Sequence, residues 1–153
     1  MRKPVTPRLR VAIYGRTATP SSASLDLQVV CCTEAARKNG WRIVAIYLDD
    51  GCAGAGLEGR VGFFEMMSAA VERKFDVLLV DRIDRIARDL SLNTSVSEVL
   101  ERHGVAVATA SPATLSSIRR TFIGSIGSIA LSQQIDAYRR PQRRQGTLAG
   151  ALQ

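Results

Sequence analysis

Four arginines sit where an alternating strand-and-helix chain would gather them. Arg85 and Arg88 follow the apolar run Val77–Val80 in the stretch Phe75–Asp89, where that run gives way to Asp81, Arg82, Asp84, Arg85, Arg88 and Asp89. So many charged groups at the carboxyl end of a strand are costly unless they have a partner, and in open α/β sheets that end is where ligands bind. If the chain turns helical directly after Val80, Arg85 and Arg88 are three apart and share a face. Arg16 follows a second apolar run, Val11–Tyr14, and Arg60 follows a loop carrying Gly51, Gly54 and Gly56. Guanidinium forks match phosphate oxygens. Arg16, Arg60, Arg85 and Arg88, with Asp84 orienting one of them, would form a charge clamp of the kind phosphoryl transfer uses.

The elements that must position these groups can be read from pattern. Val11–Tyr14 reads as a strand, and Ser24 as the N-cap of a helix running to about Lys38, where Asn39-Gly40 stops it. Trp41–Leu48 reads as a second strand, residues 60–73 as a helix with an apolar stripe, and Val77–Val80 as a third strand. Asn93–His103 reads as a helix ended by Gly104, and Val105–Ala110 as a fourth strand. The alternation predicts an α/β fold: a central, mostly parallel sheet of four to five strands with helices on both faces. One long C-terminal helix follows, over 118–140, with Phe122, Ile126, Ile129 and Ala130 along one side. Gly124, Ser125, Gly127 and Ser128 keep part of it slim, which suits close packing against another subunit. Pro141 is expected to end it. Residues 1–9 read as a disordered basic lead-in, 10–117 as the main domain and 141–153 as a basic tail.

Composition narrows the class. A chain of 153 residues with 46% hydrophobic and 23% charged residues suits one soluble domain. It has no apolar run of membrane-spanning length, and the basic N-terminus lacks the apolar stretch of a secretory signal. Cys31, Cys32 and Cys52 form neither a disulfide framework nor a metal-ligand pattern, which suits a reducing cytoplasm. His103, the single histidine, reads as a capping or surface residue at a helix end. The net charge of +7 is concentrated at the two ends, with Arg119, Arg120, Arg139, Arg140, Arg143 and Arg144 near the C-terminus. Basic ends over a mildly acidic middle point to a polyanion partner.

In sequence order these residues resemble the catalytic domain of the serine recombinases, the resolvase/invertase family, over roughly residues 10–146, closest in style to its large members. Tyr14-Gly-Arg16-Thr-Ala18 stands for the family's Tyr-x-Arg-x-Ser, and Ser24-Leu-Asp-Leu-Gln28 for its Ser-Leu-x-x-Gln. Asp50-Gly-Cys-Ala53-Gly54 stands for Asp-x-x-Ser-Gly and is followed by Arg60; Asp84-Arg85-Ile-Ala87-Arg88 stands for Asp-Arg-Leu-Ser-Arg. The segment from Arg139 to Gly146 is similar to the arginine-rich stretch after the long helix. The resemblance implies a serine that attacks a DNA phosphodiester and forms a 5′-phosphoserine, with arginines stabilising the transition state. The bond energy is kept in the covalent intermediate, so no metal, nucleotide or other cofactor is required. It also implies double-stranded DNA as partner and a homodimer or homotetramer formed through the 118–140 helix.

The expected site set is therefore Arg16, the nucleophile position Ala18, Gln28, Asp50, Arg60, Asp84, Arg85 and Arg88. The six C-terminal arginines are expected to contact DNA. Alanine stands where the family has serine at positions 18, 53 and 87, and a methyl group cannot attack phosphorus. Only about seven residues follow Gly146, so sequence-specific recognition is expected to be missing or supplied elsewhere. Two readings result: a recombinase catalytic domain impaired at Ala18, or a catalytically silent protein that binds DNA or a partner recombinase.

Overall fold

The computed structural model describes residues 7–53, 56–110 and 126–151, of which 126–128 and 144–151 as backbone alone. Strand β1 (Arg10–Arg16) leads to helix α1 (Ser22–Lys38), β2 (Arg42–Asp49), α2 (Val61–Val71) and β3 (Val77–Val80). A 3-10 turn (Ile83–Arg85) then precedes α3 (Leu90–Arg102), β4 (Ala106–Thr109) and α4 (Ile126–Ala151). The four strands form one parallel sheet in the order β2-β1-β3-β4.

Strand alternation sends side chains to two cores. Val11, Ile13, Val77, Leu79 and Ala108 pack with Cys32 and Ala36 of α1 on one face. Ala12, Tyr14, Leu78 and Val80 pack on the other with Phe63 and Met66 of α2, Val96 and Val99 of α3, and Leu131 and Ile135 of α4. β3 is buried along its whole length, which is why it reads as an unbroken apolar run.

The strands extend further toward the functional rim than the apolar runs suggest. β1 and β2 stay in register through Gly15↔Leu48 and Arg16↔Asp49, so Arg16 and Asp49 end adjacent strands side by side.

Several expected boundaries are corrected. Ser21, not Ser24, caps α1; its side chain accepts from the Ser24 N–H at 3.2 Å. Asp89 caps α3 by accepting from the Ser91 and Leu92 N–H groups, so this helix starts before Asn93. The chain after β3 makes only a short 3-10 turn, so Arg85 and Arg88 do not lie on one helix.

Pro141 does not stop α4, which runs through it to Ala151. A proline deletes one backbone donor, and Gln142, Arg143, Arg144 and Gln145 beyond it are all good helix formers. The expected basic tail is thus largely helix. The packed stripe is also different: Leu131 and Ile135 are buried while Ile129 and Ala130 face solvent. Residues 118–125, Phe122 among them, and residues 1–6 of the lead-in lie outside the described residues.

Candidate functional site

The carboxyl ends of β1, β2 and β3 meet on one rim, and Arg16 is its centre. Only 2% of Arg16 is exposed. Its guanidinium donates to three backbone carbonyls: Nε to Arg85 at 2.9 Å, Nη1 to Cys52 at 2.8 Å and Nη2 to Asp84 at 2.8 Å. One side chain therefore ties the β2 loop to the β3 loop. Burial pulls its pKa down, and the neighbouring charge of Arg60 adds to this, as do Arg88 and Arg85. Arg16 is thus within electrostatic range of the other three expected arginines.

Gln28, on the buried face of α1, holds Arg16 by its backbone. The carboxamide accepts from the Arg16 N–H and donates to the Arg16 carbonyl, both at 3.1 Å.

Arg60 is 1% exposed and immediately precedes α2. It donates to the Tyr14 hydroxyl from Nη2 at 2.8 Å and Nε at 3.2 Å, and its Cζ lies 4.7 Å from the centre of the Phe63 ring. The Tyr14 hydroxyl in turn donates to Asp49 at 2.7 Å. Burial raises the Tyr14 pKa, with Arg60 opposing. Asp49 also accepts from the Gly62 and Phe63 N–H groups at 2.8 Å each, so a strand-end carboxylate caps α2 across the fold. Gly62 is required here because a Cβ would lie 2.6 Å from the Leu48 carbonyl oxygen.

Asp49 was absent from the expected set, which contained Asp50. Alternation would have found it: Ala45 and Tyr47 face the α2 core, and Asp49 continues that phase. Asp50 has a different task. It accepts from the Thr17 hydroxyl and, at 2.8 Å, from the Ser21 N–H, clipping the segment between β1 and α1 at both ends. These bonds, the one from Thr17 first, lower its pKa. Ala18 stands exposed inside that clipped segment. Ala53 is exposed, and Ala87 is fully buried.

The remaining expected groups are less uniform. The Asp84 carboxylate pairs with exposed Arg82 at 3.1 Å, so only its carbonyl orients Arg16. Arg85 reaches Asp81 at 3.5 Å, a long contact, and its Nε is buried without a hydrogen-bond partner. Arg88 is exposed. Chemically, the rim offers Arg85 and Arg88 as donors to an anion, backed by Arg16 and Arg60 whose donors face inward.

Of the arginines expected on DNA, Arg139 is 8% exposed and paired with Glu72 of α2 at 3.2 Å. Arg140 and Arg143 are exposed. Arg119 and Arg120 lie outside the described residues, and Arg144 is described as backbone alone. Among the described residues no group of three His, Cys, Asp or Glu side chains is placed to hold a metal ion, and no helix is long and apolar enough to cross a membrane.

Fold and rim together define a parallel α/β domain with an arginine-lined strand-end site. The sequence profile of the resolvase N-terminal domain ("Resolvase, N terminal domain") matches residues 11–150, and the chain belongs to that family. Its fold is similar to that of a resolvase family site-specific recombinase from Streptococcus pneumoniae, at 24% identity and a TM-score of 0.64, covering 95% of this chain and 100% of that one. It is also similar to the N-terminal catalytic domain of TP901-1 integrase, at 23% identity and a TM-score of 0.64, covering 90% and 98%. The C-terminal catalytic domain of ISC1926 TnpA, an IS607-like serine recombinase, matches at 24% identity and a TM-score of 0.61, covering 67% and 70%. No curated protein sequence matches the chain.

Proposed function

We propose that the chain is the catalytic domain of a resolvase-type, site-specific DNA recombinase whose strand-cleaving step is disabled at Ala18. One observation carries the second half of this reading: an exposed methyl group occupies the position two residues beyond Arg16 where the family's motif has its serine. Two of the neighbouring hydroxyls are already engaged. Thr17 is 5% exposed, donates its proton to Asp50 and accepts from the Gly51 N–H at 3.1 Å. The Ser21 hydroxyl is held by its capping bond to α1. A nucleophile misplaced by even an ångström loses orders of magnitude in rate.

The arginines gathered at the rim support the binding half of this reading. Exposed Arg88 supplies donors at the rim, and electrostatics alone gives nonspecific affinity for a phosphate backbone. The partner is double-stranded DNA, contacted also by Arg140 and Arg143 on the exposed side of α4, and the assembly is a homodimer or homotetramer through the 118–140 region. A chain of this kind occupies DNA, or sits beside an active recombinase, without cutting.

Fluorescence anisotropy on a labelled duplex over a salt series tests the binding half. Arg88→Gln is expected to weaken binding and to reduce the slope of log K against log salt by about one. An unchanged affinity and slope would remove the rim from the DNA interface.

A further inference from the structure

A line of rings joins α4 to the rim. Tyr138 stacks on Phe64 of α2, centroids 5.5 Å apart and planes at 25°. Phe64 meets Phe63 edge-on at 5.5 Å, and Phe63 meets Tyr14 edge-on at 6.2 Å. Arg60 lies over Phe63 and bonds to the Tyr14 hydroxyl. Arg139, the next residue along α4, grips the far end of α2 through Glu72. α2 is therefore held by Asp49 at its start, by Tyr138 along its flank and by Arg139 at its end.

We infer that Tyr138 is a positioning residue for Arg60, acting through Phe64 and Phe63, and that the ring stack keeps the Arg60 guanidinium seated inward. The inference rests on the phosphate-rim reading above for its consequence, but not for its physical content. In the seated state Arg60 donates to the Tyr14 hydroxyl and to the carbonyls of Gly56 and Arg85, the last two at 3.4 Å. To contact an anion it must exchange these acceptors for phosphate oxygens. Whatever loosens the seat lowers the cost of that exchange. Tyr138 acts through the rings: it fixes Phe64, the ring against which Phe63 is held.

The direct test is hydrogen exchange at arginine Nε–H groups by NMR in the full chain without DNA. Arg60 Nε–H is bonded to Tyr14 and Arg16 Nε–H to the Arg85 carbonyl, both in buried side chains, so Arg16 is an internal reference. Aromatic pair contacts of this size correspond to roughly two- to tenfold in an opening equilibrium. Tyr138→Leu is expected to speed exchange at Arg60 by that factor and to leave Arg16 unchanged. Tyr138→Phe, which keeps the ring, is expected to match the native chain, as is Gln142→Ala at an exposed position further along the same helix.

Unchanged exchange at Arg60 in Tyr138→Leu would overturn the inference, and so would equal acceleration at Arg16 and Arg60, which marks general loosening. Should Tyr138→Leu fail to fold, Phe64→Leu breaks the same stack and is read by the same criteria. In DNA titrations, Tyr138→Leu is expected to raise affinity by about two- to fivefold, and the gain is expected to vanish in an Arg60→Gln background. A gain that survives Arg60→Gln would contradict the relay. Failure of the phosphate rim itself shows separately, as an Arg88→Gln chain that binds DNA as before, while the exchange measurement still decides the positioning role.

Discussion

The Gln28 carboxamide brackets Arg16, accepting from its backbone N–H and donating to its carbonyl, each at 3.1 Å. Both residues are 2% exposed, so water cannot replace this pair of bonds. Gln28→Leu would leave a buried donor and a buried acceptor unsatisfied, each costing about 1–3 kcal/mol. The expected outcome is a loss of roughly 2–4 kcal/mol in urea unfolding with an unchanged slope. A loss under about 0.5 kcal/mol, the level of an ordinary surface substitution, would show the bracket to be incidental.

Asp49 joins β2, α2 and the Tyr14–Arg60 pair. Asp49→Ala strips acceptors from Gly62, Phe63 and Tyr14 at once. Loss of a cap together with a charge-assisted buried bond predicts about 2–4 kcal/mol of destabilisation. Asp50→Ala, on the exposed rim, is expected to cost markedly less, because its partners can turn to water. The reverse order in the same unfolding assay would contradict the assignment of Asp49 as the structural carboxylate.

Arg16 and Arg88 are predicted to separate stability from binding. Arg16→Gln leaves the carbonyls of Cys52 and Asp84 without their donor and that of Arg85 with only the 3.4 Å contact from Arg60, and should lower the melting temperature by several degrees. Arg88→Gln should leave the melting temperature unchanged and weaken DNA binding. Calorimetry and anisotropy on the two variants check this directly.

His103 is expected to give the protein a pH dependence on the acid side of neutrality. Burial lowers its pKa from 6.5, with Arg73, Arg102 and Arg139 adding to the effect and Asp136 opposing it. The folded state therefore binds the proton less well than the unfolded chain. Its contribution is present above 6.5 and is lost as pH falls from there through the lowered value. Unfolding curves between pH 8 and 5 should show stability falling on the acid side, and His103→Gln should flatten that fall. The carboxylates Asp76, held down chiefly by Arg10, and Glu72, held down chiefly by Lys74, act in the same direction at lower pH, below their ordinary values of 3.8 and 4.5.

Sequence pattern located β3 to the residue because a strand buried on both faces needs no phase to be recognised. It gathered Arg16, Arg60, Arg85 and Arg88 toward one rim, since strand ends in a parallel sheet converge whatever the loops do. The direction of the guanidiniums was not legible. Whether Arg16 and Arg60 face outward or into the carbonyls of Cys52, Asp84, Arg85 and Gly56 depends on loops meeting across the sheet. Asp49 was overlooked beside Asp50 because composition cannot tell adjacent acids apart, although the alternation of Ala45 and Tyr47 carries the answer. The end of α4 is not legible from Pro141, because the helix formers after the proline carry the helix on to Ala151. Ala18 could be read at once, since an alanine at that place in the motif is a fact of the sequence alone.

The central claim is that this rim holds a DNA phosphate but has nothing to attack it with. Incubating the native chain with nicked suicide duplexes of randomised sequence, then resolving covalent protein–DNA adducts on a denaturing gel with mass-spectrometric mapping, tests that most directly. No adduct is expected. Ala18→Ser alone is expected to fall short of full cleavage, because Ala53 and Ala87 also replace serines of the motif. An adduct on the native chain, mapped to Thr17, Thr19 or Ser21, would contradict the account.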